Sequence, residues 1–180
     1  ILYPSKTGLY ELFKSIELNP DWVPLMMDYA KKAGIHFTAS AFDFESISVL
    51  EAVGVPFHKI ASSETSNLSL VHRIASTSKP VAISTGMCDM VDVEEAVNIC
   101  RDVGNDCIIL MQCGTMYPLP TELVNLRVLK SFANRYGGVL GFSDHTLSSA
   151  AAAAAVGMGA TVFEKHFTLD KNSMGPDHSY

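Results

Sequence analysis

The sequence has little positive charge and no basic cluster. Its 13 lysine and arginine residues are outnumbered by 19 aspartate and glutamate residues, which gives a net charge of −6 at pH 7. Sequence-independent binding of DNA or RNA depends on basic side chains that neutralise phosphates, so we expect no nucleic-acid partner. The acidic total does not exclude a small anionic ligand, because a few local cations are enough to bind one.

Long apolar runs and paired cysteines are also missing. The longest bland run, Ala150 to Val156, is far shorter than the roughly 18–20 apolar residues that cross a bilayer, and no signal-peptide pattern opens the chain. The four cysteines show no CxxC spacing and lie in apolar or semi-apolar settings, which is typical of reduced thiols. We therefore expect a cytoplasmic protein that has no membrane partner.

Short apolar runs alternate with amphipathic stretches along the 180 residues, a length that is enough for one domain. Six apolar runs are predicted to be strands: Ile35–Ser40, Pro56–Ser62, Pro80–Thr85, Cys107–Cys113, Val139–Ser143 and Thr161–Phe167. Six stretches are predicted to be helices: Asp21–Gly34, Glu45–Gly54, Leu68–Thr77, Val91–Gly104, Asn125–Tyr136 and Ser148–Gly159.

This alternation favours a parallel sheet whose crossover connections are the helices. An open doubly wound sheet and a closed (β/α)8 barrel both fit the pattern, but no GxGxxG or P-loop follows any strand. A barrel draws its site from the ends of all its strands, and polar residues follow nearly every predicted strand: Ser40, Ser62, Glu64, Ser84, Thr85, Thr115, Tyr117, Ser143, His145 and His166. We therefore predict an α/β fold of the TIM-barrel type. Strands 3–8 would lie in this chain, the first two units would be missing before Ile1, and residues 1–180 would form one partial barrel domain.

Two histidines stand at the predicted ends of successive strands. His145 and His166 are 21 residues apart, and on neighbouring barrel strands their imidazoles would converge. Two histidine ligands leave positions for water and substrate, which suits a catalytic divalent metal. Asp144 is placed to orient one of them. The alternative is that each histidine is half-buried and has its hydrogen bonds satisfied by structural partners.

A lysine in a buried strand is costly unless it is paired with an anion. Lys59 inside a barrel would face such an anion, and the hydroxyl of Ser62 would complete a phosphate or carboxylate cradle. The alternative is a structural ion pair between Lys59 and Glu64 or Glu164. A nucleophilic role for Cys113 is not favoured, because no general base lies beside it in the sequence.

Six short motifs follow one another along the chain: KIASSE at 59–64, STGM at 84–87, QCGTMYPLP followed by NLR within 112–127, GFSDHT at 141–146, EKHFTLD at 164–170 and GPDH at 175–178. In their order and spacing, these motifs resemble the sialic acid synthase family. The resemblance runs from about Leu9 to the end of the chain.

The resemblance implies a (β/α)8 barrel followed by an antifreeze-like domain, which is absent from this chain, and a homodimer. It implies condensation of phosphoenolpyruvate with an N-acyl mannosamine-type sugar to give a nonulosonic acid and phosphate. It also implies Mn2+ or another divalent metal such as Mg2+ or Co2+.

By matched motif, the resemblance makes His145 and His166 the metal ligands. The substrate-binding residues it implies are Lys59 and Ser62, which would hold the phosphate, with Ser40, Thr115, Ser143 and Glu164 nearby. The catalytic residues it implies, which would face the sugar, are Glu64, Tyr117 and Asp177.

One segment and one further residue depart from the family pattern. Ala39-Ser40-Ala41-Phe42 stands where the family has Ser-Thr-Pro-Phe, and Thr115 replaces an asparagine. The sugar therefore stays open between the neuraminate, legionaminate and pseudaminate types. The alternative functions are another phosphoenolpyruvate-dependent aldol-type sugar-acid synthase, and a non-catalytic barrel in coat or envelope polysaccharide assembly.

Overall fold

The computed structural model describes residues 8–173 and 177–178, which form a parallel α/β fold. The strands are β1 (His58–Ile60), β2 (Val81–Ser84), β3 (Ile108–Cys113), β4 (Val139–Asp144) and β5 (Val162–Lys165). The α-helices are α1 (Leu9–Ile16), α2 (Trp22–Ala33), α3 (Phe44–Val53), α4 (Leu68–Ala75), α5 (Met90–Asp102), α6 (Arg127–Tyr136) and α7 (Ala150–Gly157). Two short 3-10 helices lie at Ser62–Glu64 and Thr121–Leu123.

The five strands pair in sequence order and all run parallel. Helices α4 to α7 lie between successive strands in the chain and supply the crossovers that parallel pairing needs. No helix of the described residues is long and apolar enough to cross a membrane.

The two faces of the sheet differ in character, because side chains alternate between faces along each strand. The face covered by helices is apolar and buried, and its residues include Ile60, Ile83, Leu110, Leu140 and Phe142. The strand register brings a second set of residues to the opposite face: Lys59, Ser84, Cys113, Ser143 and Glu164. Each large apolar side chain buried on the helix side contributes about 1.5–3 kcal/mol. The helix side therefore supplies stability, and the opposite face is free to carry polar groups.

The sheet is strongly curled. β1 and β5 lie at opposite ends of the strand order, so a flat sheet would hold them about 19 Å apart at the usual strand spacing. Yet Nζ of Lys59 on β1 lies 3.8 Å from Oε1 of Glu164 on β5. The polar side is therefore the inside of a curved half-barrel, here called the concave face. The predicted parallel α/β fold is confirmed at this level.

One predicted strand does not form. Within Ile35–Ser40 only Ser40 makes a bridge, which is parallel and pairs with Lys59. Among the described residues this segment has one neighbour, the three-residue strand β1, and the hydroxyl of Thr38 donates to the carbonyl of Phe57 instead of leaving that carbonyl to a ladder. The other five predicted strands are confirmed; four have shorter bounds than predicted, and β4 extends one residue further, to Asp144. Helix α1 was not among the predicted helices.

A polar cluster lies on the helix side of β1. His58 is buried, and its Nε2 lies 2.8 Å from Oε1 of Glu51 on α3. The same oxygen accepts a hydrogen bond of 2.6 Å from Nζ of Lys79. Burial lowers the pKa of His58. Lys79 is therefore a lysine with a structural partner, on the opposite side of the sheet from Lys59.

The close packing of Gly141 generates a stability prediction. A Cβ atom on Gly141 would lie 2.7 Å from Cγ of Met111 and 3.3 Å from the carbonyl oxygen of Val162. We expect Gly141→Ala to lower the free energy of unfolding of the full chain by about 1–3 kcal/mol, because the extra methyl group overpacks the concave face. The measurement is a urea titration.

The control is Gly157→Ala in the last turn of α7, where an added Cβ meets nothing within 4 Å. Alanine is the better helix former, so this variant should be unchanged or slightly more stable. Equal stability of the Gly141→Ala variant and the wild type would contradict the packing described for β3 and β4.

Candidate active site

Lys59 is the central cation of the concave face. Its side chain is only 12% exposed, and Nζ donates to Oγ of Ser84 at 2.8 Å and to the carbonyl of Ile60 at 3.1 Å. Burial lowers the pKa of Lys59, and the nearby Glu164 carboxylate opposes that shift. The ammonium has two neutral acceptors and one carboxylate at 3.8 Å, which is longer than a strong charge-assisted hydrogen bond. An anionic ligand beside it would therefore be stabilised.

Glu164 links this lysine to the next strand. The hydroxyl of Ser143 on β4 donates to Oε2 of Glu164 at 2.6 Å, while Oε1 faces Lys59. Of the two carboxylates considered as ion-pair partners of Lys59, Glu164 is the one that lies near its ammonium. Glu64, the other carboxylate considered, accepts a hydrogen bond from Nδ2 of Asn67.

His145 has a defined tautomer. Its Nδ1 lies 2.7 Å from the carbonyl oxygen of Gly114, and because a carbonyl can only accept, Nδ1 carries the proton. Burial lowers the pKa of His145, so the ring is neutral at pH 7. A neutral ring protonated at Nδ1 holds its lone pair on Nε2. That nitrogen lies 3.4 Å from Oγ of Ser143, whose own proton is directed at Glu164.

The rings of His145, His166 and Tyr117 lie close together, and a carboxylate lies near His166. The ring centroids of His145 and His166 are 5.2 Å apart, and the ring of Tyr117 lies 4.3 Å from the first and 5.9 Å from the second. Oδ2 of Asp177 is 3.9 Å from Nδ1 of His166. Burial raises the pKa of Tyr117. The segments that follow β3, β4 and β5 therefore converge on one place.

The donor set here fits a divalent metal with an incomplete protein shell. Among residues 8–173 and 177–178, no three His, Cys, Asp or Glu side chains converge as a metal cluster. A metal held here would have the imidazoles of His145 and His166 as protein ligands and would take its other ligands from water or substrate. The hydrogen bond to the carbonyl of Gly114 is the kind of contact that fixes the tautomer of a metal-binding histidine.

The expectation that Asp144 orients a histidine is wrong. Its Oδ2 lies 3.1 Å from Nζ of Lys165, and its Oδ1 accepts from the backbone N–H of Thr146 at 2.9 Å. The reason is the alternation along β4, which turns Asp144 to the helix side when Ser143 faces inward. Asp144 directly precedes His145 and Lys165 directly precedes His166, so their ion pair holds together the ends of the two strands that carry the histidines.

Ser62 forms a second polar group, at the end of β1. Its Oγ accepts a hydrogen bond of 3.2 Å from the backbone N–H of Gly86 and lies 3.1 Å from Sγ of Cys113. The thiol of Cys88 donates to the carbonyl of Ser62 at 3.6 Å. Ser62 is thus held by the segment that follows β2 and by the last residue of β3.

The remaining predicted residues lie at the edges of these groups. Ser40 sits beside Lys59 through its backbone bridge. Thr115 is exposed, and its methyl group is 3.1 Å from where a Cβ on Gly86 would stand. In the motif GPDH, residues 175–176 lie outside the described residues, while Asp177 is described.

Sequence reasoning gave no role to several residues that shape the site. Ser84, which accepts from Lys59, could have been found from its strand parity, because it lies two positions beyond Ala82, the register partner of Lys59. The carbonyl of Gly114 is a backbone atom and leaves no signal in the sequence. The Lys165 ammonium on β5 contacts Asp144 on the neighbouring strand β4, and no local sequence pattern predicts this contact.

Comparisons with known proteins agree with this geometry. The chain is 39% identical over 179 residues to the N,N'-diacetyllegionaminic acid synthase of Legionella pneumophila, covering 97% of this chain and 50% of the relative. It is 35% identical over 167 residues to the N-acetylneuraminate-9-phosphate synthase of Homo sapiens, covering 92% of this chain and 46% of the relative. The chain thus spans about half the length of the curated relatives it matches.

A solved structure and a family model point the same way. The crystal structure of the N-acetylneuraminic acid synthetase from Leptospira borgpetersenii matches with a TM-score of 0.88 and 30% identity, covering 93% of this chain and 59% of that chain. The model of the NeuB family matches residues 4–180. A match over almost the entire chain, joined to a half-barrel with a polar concave face, shows that the chain belongs to the NeuB family.

Proposed function

We propose that the full protein condenses phosphoenolpyruvate with an N-acyl mannosamine-type sugar to give a nonulosonic acid and phosphate. The observation that carries this proposal is that Lys59 and the imidazole pair of His145 and His166 lie on one concave face, connected through Glu164 and Ser143. One end of this group would attract an anion, and the other would offer ligands to a metal. Relatives named as sialic-acid-type synthases support the same reaction class.

The anion end would bind phosphoenolpyruvate. Lys59 supplies a buried positive charge, and an enol phosphate beside it would take over the compensation that Glu164 provides at 3.8 Å. The hydroxyl of Ser62 would donate to the phosphate, and the exposed Thr115 and the edge residue Ser40 would border it. Burial strengthens such contacts, because a low local dielectric increases the attraction between opposite charges.

The metal end would take Mn2+, or Mg2+ or Co2+, between His145 and His166. When bound, the ion would polarise the aldehyde carbonyl of the sugar as a Lewis acid. Tyr117, with its ring against both imidazoles, and Asp177 would hold the sugar hydroxyls, with Glu64 at the rim.

The proposed reaction balances without a redox step. The methylene carbon of phosphoenolpyruvate forms a C–C bond with the aldehyde carbon of the sugar, while the enol C=C bond and the carbonyl π bond break. Water then adds to the carbon that bears the phosphate, and one of its protons ends on the former aldehyde oxygen, which becomes a hydroxyl. The bond from that carbon to the phosphate oxygen breaks, a ketone forms, and inorganic phosphate leaves with the second proton of the water. Lys59 and the hydroxyl of Ser62 would stabilise the negative charge on the leaving phosphate, because they are already in place before it develops.

We also propose the architecture in which this site works. The five strands β1 to β5 would be part of a closed (β/α)8 barrel that further units of the full protein complete, and an antifreeze-like domain would follow the barrel. The protein would act as a cytoplasmic homodimer. The support is that the chain matches about half of its relatives' length and that the sheet is already curled as a barrel requires.

Phosphate release tests the proposed reaction. The full protein, mixed with phosphoenolpyruvate, Mn2+ and a panel of N-acyl hexosamines, should release phosphate only when a sugar of the mannosamine type is present. Lys59→Met should lower kcat/KM by about 100-fold, because removing one partner of a desolvated charge pair costs about 2–5 kcal/mol. The control is Lys79→Met, whose ammonium pairs with Glu51 on the helix side and which should keep wild-type activity.

Other outcomes would point to the alternative functions. Release with simple aldoses but with no N-acyl sugar would indicate another aldol-type sugar-acid synthase. Absence of both phosphoenolpyruvate binding and phosphate release would contradict catalysis and indicate a non-catalytic barrel in polysaccharide assembly.

The metal assignment has its own measurement. We expect His145→Gln and His166→Gln each to weaken Mn2+ binding at least about 10-fold, since each removes one of two imidazole ligands. Electron paramagnetic resonance of free Mn2+ during a titration measures this directly, and circular dichroism checks the fold. His72→Gln, a change at an exposed position of α4, is the control. Unchanged Mn2+ affinity in both site variants would overturn the assignment.

A further inference from the structure

We propose that Cys113 is a positioning residue that, together with the backbone N–H of Gly86, aims the hydroxyl proton of Ser62 at the bound anion. The inference rests on the proposed function, in which Ser62 donates to the phosphate of phosphoenolpyruvate. Cys113 ends β3 on the concave face and is only 5% exposed. Its Sγ lies 3.1 Å from Oγ of Ser62.

The hydrogen-bonding capacity of a serine hydroxyl decides the direction of its proton. The hydroxyl has one proton to donate and two lone pairs that accept. The N–H of Gly86 can only donate, and at 3.2 Å it occupies one lone pair of Ser62. When the thiol of Cys113 donates to the second lone pair, the proton of Ser62 must point away from both neighbours. The hydroxyl proton of Ser62 can then be donated only to a third partner, which we propose is the bound anion.

The opposite orientation of the pair is weaker. If Ser62 donated to sulfur, its proton would be directed at a poor acceptor, because a thiol sulfur accepts hydrogen bonds only weakly. An anionic phosphate oxygen is a far stronger acceptor, since charge-assisted hydrogen bonds are roughly twice as strong as neutral ones. Anion binding therefore favours the arrangement in which Cys113 is the donor and Ser62 donates to the ligand.

The surrounding backbone is built to admit the sulfur atom. A Cβ on Gly86 would lie 2.7 Å from Sγ of Cys113 and 3.0 Å from its carbonyl oxygen, so only glycine lets the thiol and the amide approach Ser62 together. On its other side Ser62 is held by the thiol of Cys88, which donates to its carbonyl. Cys113 is also the register partner of Ser143, so it lies next to both Ser143 and Ser62.

The test is the affinity of the full protein for phosphoenolpyruvate, measured by calorimetric titration. Cys113→Ala removes the thiol donor and should weaken binding by about 10-fold. Cys113→Ser keeps a donor at this position and should restore affinity to within about 3-fold of the wild type. In a Ser62→Ala background, Cys113→Ala should cause no further loss, because the thiol acts only through the hydroxyl of Ser62.

A buried cysteine on the helix side separates positioning from stability. Cys100 of α5 is fully buried in the apolar core, so Cys100→Ala should lower the melting temperature and leave the affinity of the folded protein unchanged. Melting temperatures of the Cys113 variants are measured in parallel, and affinities are compared at a temperature where every variant is folded.

The outcomes distinguish this inference from the proposed function. If the wild type binds phosphoenolpyruvate and Cys113→Ala binds it equally well, or if the losses in Cys113→Ala and Ser62→Ala add up, the positioning role is overturned and the function stands. If the wild type binds neither phosphoenolpyruvate nor inorganic phosphate, both are overturned.

Discussion

The contact between Lys59 and Glu164 is the constraint on which the site depends. A lysine ammonium on a largely buried strand is tolerated only where the fold brings a partner to it, and here the partner comes from the strand at the far end of the sheet. The sheet must curl for the two side chains to meet. The same curl brings the polar side chains of the strands together on one concave face, so the electrostatic requirement of Lys59 and the shape of the site have a common origin.

One face of the sheet is apolar and the other is polar because side chains alternate between the two faces along each strand. Apolar residues on the helix side form the core, while the residues between them carry the polar groups of the concave face. The last residues of β4 and β5 follow the same alternation. The pair of Asp144 and Lys165 lies on the helix side and holds together the strand ends that present His145 and His166. Stability and chemistry are thus supplied by neighbouring residues that point in opposite directions.

The sequence was sufficient for the parts of the structure that depend on local pattern. Five of the six strands predicted from apolar runs and all six helices predicted from amphipathic stretches are present. The position of His145 and His166 after successive strands predicted that their rings would lie close together. It was insufficient where a partner lies far away in the chain. Ile35–Ser40 has a strand-like sequence but lacks enough pairing to become one, and the contacts of Asp144 and Cys113 are set by register between strands.

A double-mutant cycle on Lys59 and Glu164 measures the central contact most directly. Urea titration of the full chain gives the free energy of unfolding for Lys59→Met, Glu164→Gln and the double variant. If the two side chains face each other across a curled sheet, the effects should be non-additive, with a coupling free energy of about 0.5–3 kcal/mol. Strict additivity would mean that the strands β1 and β5 do not bring these charges together, and would contradict the curled concave face.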